Sequence, residues 1–255
     1  MLAMPYALIT IPFSHFCEKA RWALNHHRLG FEEQAYLPLF HLIGALPSGQ
    51  RSVPILKAGE KTVGDSTDIL HFCDQVGSGT RLFAERSLDD AEPDAIETWE
   101  EEFDQRLGPA VRVVVYDVLL AHAAYTRDFM VESGPGWQRQ AIRPGFGMLR
   151  QAISKSYAIT PARAQRARGR IDDIFARVAQ TLADGRPYLT GDTFSAADLT
   201  FGSLAGPLVS PAEYGAALPP LEGAPDALKR LTEEFRATAA GEYLLRLYAN
   251  DRIQA

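Results

Sequence analysis

Residues 6–24 read YALITIPFSHFCEKARWAL, and this stretch decides how the chain begins to fold. The apolar run over 6–11 has the composition of a β-strand, a proline turn follows, and an amphipathic helix comes next. The start of a helix carries unsatisfied N–H groups and about half a positive charge, which favours a thiolate or another anion. Because Ser14 and Cys17 stand at that start, we predict that the protein works on a thiol, either its own or one that it binds.

Length and composition limit the possible classes of protein. The chain has 255 residues, with 46% hydrophobic and 23% charged residues, which is typical of a soluble globular protein with room for two domains. The net charge of −6 argues against a nucleic acid as partner. Neither a signal peptide nor a membrane-spanning run is recognisable, so we expect a cytoplasmic protein that does not enter a membrane.

The cysteines and histidines indicate neither a disulfide framework nor a metal site. The only cysteines are Cys17 and Cys73, which fits a reducing compartment. Cys73 belongs to an apolar helical stripe, so we predict that it is buried. The six histidines show no spacing typical of metal ligands, and no metal is expected.

The chain divides by pattern into a mixed first part and a helical second part. We predict a domain over 1–80, a linker over 81–90 and an all-helical domain over 91–255. In the first part Gly30 is suited to cap the first helix at its C-terminus. The further elements predicted there are strands over 32–37, 53–56 and 61–63 and a helix that begins near Ser66 and ends by Gly77.

Two features are informative in the second part. Ser195 and Asp198 form a capping box, preceded by Phe194 as a hydrophobic staple, so a helix starts there. Between 132 and 147, Pro144, Gly145 and Gly147 interrupt the helical pattern and predict a loop or a broken helix.

Four motifs in this order, Ser14-x-x-Cys17, Val53-Pro54, Asp65-Ser66 and Phe194-Ser195-x-x-Asp198, resemble those of the cytosolic glutathione transferase superfamily. The resemblance covers both parts of the chain. It implies an α/β thioredoxin-like N-terminal domain followed by an all-α helical C-terminal domain, and a homodimer. It also implies glutathione as co-substrate and a small hydrophobic electrophile as the second substrate.

The resemblance also implies roles for particular residues. Ser14 falls where relatives place the Ser or Cys that contacts the glutathione sulfur. The remaining expected glutathione contacts are a cis-proline site at Val53 and Pro54, a γ-glutamyl site at Asp65 and Ser66, and a glycine-carboxylate site at Gln50 and Arg51. Apart from the resemblance, Phe13, Tyr116 and His122 are candidates for the electrophile pocket. The aromatic residues between 121 and 160 belong either to the core or to a lid or wall over the electrophile, which residues 132–147 would form.

Two residues keep alternatives open. Many relatives have proline after the catalytic Ser or Cys, but this chain has His15, which could donate to a thiolate or substrate or could simply start the helix. Cys17 could be a redox thiol or a packed structural one. The alternatives to a transferase are therefore a glutathione-dependent thiol–disulfide oxidoreductase that uses Cys17, and a non-catalytic glutathione-binding protein with a regulatory or interaction role.

Overall fold

The structure is a computed structural model that describes residues 6–84 and 94–252. Its first part is a four-stranded mixed sheet with helices packed on it. The strands are β1 (Tyr6–Thr10), β2 (Phe31–Ala35), β3 (Ile55–Ala58) and β4 (Lys61–Val63). The helices are α1 (His15–His26), α2 (His41–Ala45) and α3 (Ser66–Val76), with a 3-10 turn over Leu46–Ser48.

The sheet has the strand order β2-β1-β3-β4, with β1 and β2 parallel and the other two pairs antiparallel. A parallel pair needs a crossover connection, and α1 supplies it. On β1, Leu8 and Ile9 are both fully buried, one on each face of the sheet. The N-terminus of α1 consequently lies just beyond the carboxyl end of the central strand, where open α/β sheets bind their ligands.

Between residues 94 and 252 the second part is built from helices joined by irregular loops. Its elements are α4 (Ala95–Glu102), a π-helical segment (Phe103–Leu107), α5 (Gly108–Ala121), α6 (Ala123–Ser133), α7 (Gly136–Ser156), α8 (Pro161–Leu182), α9 (Ala196–Val209), α10 (Asp226–Arg236) and α11 (Ala239–Asn250). Helix α9 is buried on every side except at Pro207, as expected for the central helix of a bundle. The capping box of Ser195 and Asp198 at its start is confirmed.

A buried cation joins the two parts of the chain. Lys19 on α1 has no exposed side-chain surface, and its ammonium group pairs with Glu100 on α4. It also lies 2.6 Å from an oxygen of Asp104 and donates to the Thr67 hydroxyl at 2.9 Å. Every hydrogen of the ammonium group thus has an acceptor, which offsets the cost of removing the charge from water.

Other residues on the same face of α1 also reach the second part. Glu18 accepts hydrogen bonds from Arg252 Nε at 2.8 Å and from the backbone N–H of Gly215 at 3.1 Å. The Trp22 ring centre lies 4.7 Å from that of Tyr248 on α11. Glu18 and Lys19 lie four and three residues before Trp22, so all three residues belong to one broad face of α1.

One prediction about a helix end is wrong, and the prediction of a break between 132 and 147 holds only in part. The left-handed residue after α1 is Arg28, with φ of 56°, and not Gly30. The Arg28 and Leu29 N–H groups bond back to carbonyls of α1, so the helix is already capped two residues before Gly30. Within 132–147 the break lies only at residues 134–135, and Pro144 is inside the continuous helix α7.

Packing explains why α7 continues through Pro144, Gly145 and Gly147. Four residues at helical spacing are buried on its inner face: Ile142, Phe146, Leu149 and Ile153. Pro144 and Gly147 lie on the exposed side of the same helix. Burial of the apolar face therefore outweighs the poor helix propensity of the exposed residues.

The predicted linker is only partly covered by the structure. Leu82 and Phe83 are buried, and both donate their backbone N–H groups to the Asp74 carboxylate. These donors and His27 lower the pKa of Asp74, although its partial burial acts in the opposite direction. Residues 85–90 of the predicted linker lie outside the described residues.

Over the described ranges 6–84 and 94–252, no single helix is both long and apolar enough to cross a membrane. The stretches Ala95–Ala121 and Ala123–Ser133 reach that criterion only as a pair, and the chain bends by 113° between them.

The Lys19 network gives a stability prediction. Replacing Lys19 by Met leaves the Glu100 carboxylate buried without its cation, so we expect the free energy of unfolding to fall by about 3–5 kcal/mol. Lys19→Met combined with Glu100→Leu should regain most of that loss. Urea denaturation at one protein concentration measures both variants.

The matched control is Arg106→Ala, which removes an exposed pair with Glu102 on the same segment. Exposed pairs of this kind contribute about 0–1 kcal/mol, so this variant should unfold almost like the unaltered protein. A loss in Lys19→Met no larger than that of the control would show that the buried pair does not stabilise the fold.

Candidate active site

A cleft opens where the N-terminus of α1 meets the helices of the second part. Its empty volume is about 870 Å³, including the space at its mouth. Side chains from both parts line it, so the cleft exists only when the two are assembled. The expected site residues that line it are Phe13, Ser14, His15, Arg51, Val53 and Tyr116.

Ser14 stands at the start of α1 without using its hydroxyl to cap the helix. It is the N-cap of α1, and its backbone carbonyl accepts the Glu18 N–H at 2.9 Å. Its side chain makes no capping hydrogen bond, which is unusual for serine at this position. Ser14 is half-buried and lines the cleft beside the positive end of the α1 dipole, where a bound anion is stabilised.

Cys17 lies one helical turn further and is fully buried. It does not line the cleft. Burial raises the pKa of its thiol, although the nearby Arg21 guanidinium and a hydrogen bond with the Ser14 hydroxyl act in the opposite direction. A neutral thiol without access to solvent is a poor nucleophile, so this environment resembles that of a packed structural cysteine.

His15 is directed into the protein and connects its two parts. Its Nε2 lies 3.0 Å from the carbonyl oxygen of Gly108, the first residue of α5. Because a carbonyl can only accept, the ring proton is on Nε2, and Nδ1 carries a lone pair. Burial, together with the nearby Arg112 cation, lowers the pKa of His15 to about 3. As placed, His15 is neutral and has no proton left to donate to a thiolate.

Gly108 fits this close approach because it has no side chain. A Cβ atom at this position would lie 2.6 Å from the Phe16 ring. The contact between α1 and α5 at the edge of the cleft therefore requires glycine there.

The loop before β3 forms another wall of the cleft. The Val53–Pro54 bond is cis, as predicted, and both Val53 and Arg51 line the cleft. His41 Nε2 donates to the Arg51 carbonyl oxygen at 3.2 Å, which ties α2 to this loop. The loop thus borders the same cleft as Ser14.

Three other expected contacts lie outside the lining of this cleft. Asp65 is exposed and caps α3 by accepting the Thr67 N–H at 2.8 Å. Ser66 is buried as the first residue of α3. Gln50 lies against the turn that precedes them, since a Cβ on Gly64 would be 2.5 Å from its Nε2 atom. These residues form a polar shelf at the start of α3.

Aromatic rings make the wall that faces Ser14. The ring centres of Phe13 and Phe129 are 5.2 Å apart, and those of Tyr116 and Tyr157 are 5.7 Å apart and nearly parallel. These pairs are in the range of favourable aromatic contacts. Together they offer a flat apolar surface to a small molecule.

The expectations for His122 and for the 132–147 segment are corrected by this geometry. His122 is exposed in the turn between α5 and α6 and does not line the cleft. None of residues 132–147 lines it either; the wall comes instead from Phe129 before that segment and Tyr157 after it. Both corrections follow from the sharp turn at His122 and the continuation of α7.

Sequence reasoning missed Arg112, the cation of the second part that lines the cleft. It stands in the run Val111-Arg112-Val113-Val114-Val115, which reads as a buried helix. A single charge inside such a run was the available signal, because charged residues are rarely placed among core positions without a purpose.

No metal site accompanies these residues. Within 6–84 and 94–252, the structure contains no group of three or more His, Cys, Asp or Glu side chains that could hold a metal ion.

The family assignment rests on both halves of the chain. A model described as "Glutathione S-transferase, N-terminal domain" matches residues 8–80. A second model, described as "Glutathione S-transferase, C-terminal domain", matches residues 161–238. The chain belongs to the glutathione S-transferase superfamily. The predicted fold, an α/β thioredoxin-like domain followed by an all-α helical domain, is confirmed for this glutathione transferase-like protein.

Solved structures share the fold of this glutathione transferase-like chain at low sequence identity. Glutathione S-transferase III in its apo form is 19% identical, with a TM-score of 0.55 and 99% of each chain covered. The β-etherase LigF from Sphingobium sp. strain SYK-6 is 18% identical, with a TM-score of 0.59 and coverage of 95% of this chain and 99% of that one.

A third neighbour contains the co-substrate of the family. A glutathione S-transferase from Methylobacillus flagellatus KT, solved with glutathione bound, is 17% identical, with a TM-score of 0.51 and coverage of 94% of this chain and 98% of that one. A search of curated protein sequences gives no significant match. At these identities, the solved structures support the fold and not a particular substrate.

The burial of the thiols gives a labelling prediction for this glutathione transferase-like protein. Cys17 and Cys73 are both fully buried, and burial raises the pKa of Cys73 to about 12. At neutral pH, iodoacetamide should therefore leave both cysteines unmodified in the native protein and alkylate both after denaturation, as read by mass spectrometry. Rapid alkylation of Cys17 in the native protein would contradict the structure and would revive its role as a reactive thiol.

Proposed function

We propose that this protein is a glutathione transferase that stabilises the glutathione thiolate with Ser14 and transfers it to a small hydrophobic electrophile. The observation that carries the proposal is the position of Ser14, which stands at the N-terminus of α1, lines a cleft with aromatic walls and does not use its hydroxyl to cap the helix. The electrophile would occupy the side of the cleft formed by Phe13 and Tyr116.

The proposed path of glutathione follows the first part of the chain. Its sulfur would lie against Ser14, and its cysteinyl backbone would pair with the main chain of Val53. The γ-glutamyl group would rest on the polar shelf at Asp65 and Ser66, where the start of α3 offers N–H groups to a carboxylate. The glycine carboxylate would meet Arg51, with Gln50 beside it.

The reaction requires a sulfur anion. A free thiol with a pKa of about 8.5 is only about 3% ionised at pH 7, and lowering that pKa to about 6.5 would ionise about three quarters of it. This change corresponds to about 2.7 kcal/mol. A serine hydroxyl and a helix N-terminus are groups that can provide stabilisation of this kind. The thiol proton goes to solvent, the S–C bond forms, and the leaving group departs with its electron pair.

Ionisation alone accounts for little of the rate. The thiolate concentration would rise about 25-fold. The reactivity of each thiolate would fall about eightfold because of its lower basicity, if the Brønsted slope of disulfide exchange applies. The larger contribution would come from holding the electrophile next to the sulfur. The residues of α5, α6 and the segment after α7 that line the cleft would then determine the choice of substrate.

The alternatives are less well supported by the geometry. Burial of Cys17 counts against an oxidoreductase that uses this thiol, since its sulfur does not reach the cleft. A non-catalytic glutathione-binding protein would keep the shelf and the cleft but would show no turnover. The family also leads us to expect a homodimer in the cytoplasm.

Substitution of Ser14 tests the proposal. Ser14→Ala removes the hydroxyl but keeps the helix start, so the ultraviolet absorbance of bound glutathione thiolate should largely disappear at neutral pH. We expect conjugation of a benzylic halide to fall at least tenfold. Cys17→Ala is the matched control one turn away, and it should stay within about threefold of the unaltered protein.

Each alternative predicts a different result. Loss of disulfide reductase activity in Cys17→Ala, with Ser14→Ala unaffected, would replace the proposal by the oxidoreductase. Glutathione binding without turnover of any electrophile would favour the binding protein. Absence of glutathione binding, measured by calorimetry, would exclude all three functions.

A further inference from the structure

We propose that Arg112 binds a carboxylate on the electrophile, so that the preferred substrate is an aromatic electrophile carrying an acidic group. This inference deepens the proposed function and rests on it.

The charges that line the cleft are of one sign. Its basic residues are His15, His41, Arg51 and Arg112, and no Asp or Glu is among the residues that line it. His15 is neutral because burial lowers its pKa to about 3, and burial lowers the pKa of His41 as well. The two arginines therefore give the cleft a positive charge that favours an anionic ligand.

Glutathione would use only one of the two arginines. Arg51 lies on the loop that precedes cis-Pro54, on the wall formed by the first part of the chain, where the glycine carboxylate is proposed to bind. Arg112 stands on α5, on the wall formed by the second part. Glutathione bound along the first part of the chain would therefore leave the charge of Arg112 without an anionic partner.

Arg112 has aromatic partners but no acidic one within the described part of the chain. Its guanidinium carbon lies 5.0 Å from the centre of the Phe16 ring and 4.8 Å from that of Tyr157. Other arginines at the core, such as Arg21 and Arg252, pair with carboxylates at 2.6 Å and 2.8 Å. A half-buried guanidinium without a carboxylate keeps its N–H groups free for a ligand.

The two rings also hold the guanidinium in place. Phe16 belongs to α1, and Tyr157 directly follows α7, so the cation is clamped between different elements. Contacts with the ring faces leave the N–H edge of the planar guanidinium group free. That edge matches the two oxygens of a carboxylate. Less conformational entropy is lost on binding when the donor is already ordered.

The neighbouring surface suits a flat ring. On α5, Arg112 is one helical turn from Tyr116, which stacks on Tyr157, and Phe13 and Phe129 close the adjacent wall. An aromatic body can stack there while an acidic substituent reaches the cation. Because planar bidentate pairing favours a carboxylate, we assign an aromatic carboxylic acid as the substrate class.

Product analogues allow the inference to be tested separately from turnover. The ligands are S-benzylglutathione and the three positional isomers of S-(carboxybenzyl)glutathione, which differ from the first only by one carboxylate. Isothermal calorimetry should show at least one carboxybenzyl isomer binding about tenfold or more tightly than S-benzylglutathione. This preference corresponds to about 1.4 kcal/mol, within the range for a charge-assisted hydrogen bond.

Variants of the two arginines identify the group responsible. In Arg112→Met the preference should shrink to within about twofold, while S-benzylglutathione still binds. Arg112→Lys should keep part of this preference, since the lysine ammonium is a point charge that cannot pair with both carboxylate oxygens as the planar guanidinium does. Arg51→Met should weaken all four ligands to a similar extent, because it would act on the glycine carboxylate that they share. Arg106→Ala, an exposed arginine outside the cleft, should change nothing.

The outcomes separate this inference from the function on which it rests. If S-benzylglutathione binds but no carboxybenzyl isomer binds more tightly, the inference is wrong and the proposed function stands. If Arg112→Met weakens the neutral and acidic conjugates equally, Arg112 is only part of the packing between α1 and α5, and the inference again fails. If none of the conjugates binds, both are wrong.

Discussion

The contact on which the rest of the structure depends is the face of α1 formed by His15, Glu18, Lys19 and Trp22. Each of these residues reaches the helical part of the chain, through Gly108, Arg252, Glu100 and Tyr248 respectively. Three of the four are polar or charged and almost completely buried. Since a buried charge is costly without its partner, this face fixes the position of the second part on the first more specifically than apolar packing alone would.

The candidate active site follows from that constraint. Ser14 precedes this face of α1, so fixing the helix also fixes its N-terminus against α5. His15 makes the connection directly by donating to the first carbonyl of α5. In relatives this position is often proline; here the histidine joins the two domains at the edge of the cleft. The proposed chemistry requires little more from the first part: a hydroxyl, a helix start, and a main chain that can pair with a peptide.

The second part of the chain would determine which electrophile reacts. Its contribution to the cleft is aromatic and aliphatic, with Arg112 as its one charged group among the residues that line the cleft. The glutathione side resembles the family in its motifs, whereas α5, α6 and Tyr157 make the surface on which an electrophile would lie. A difference in substrate between relatives with this fold can therefore arise at a few positions of α5 without any change in the thiolate site.

The sequence by itself determined the architecture and predicted the residues of the proposed glutathione site, because those features depend on local patterns. The strand before Ser14, the Val53-Pro54 pair, the start of α3 and the capping box at Ser195 are each encoded within a few adjacent residues. Only the tertiary structure decided the roles of His15, Cys17 and Arg112. Their burial and partners come from elements far apart in the chain, such as Gly108 for His15 and Tyr157 for Arg112. It also showed that α7 passes through Pro144, because burial of one helix face outweighs the local preference to break.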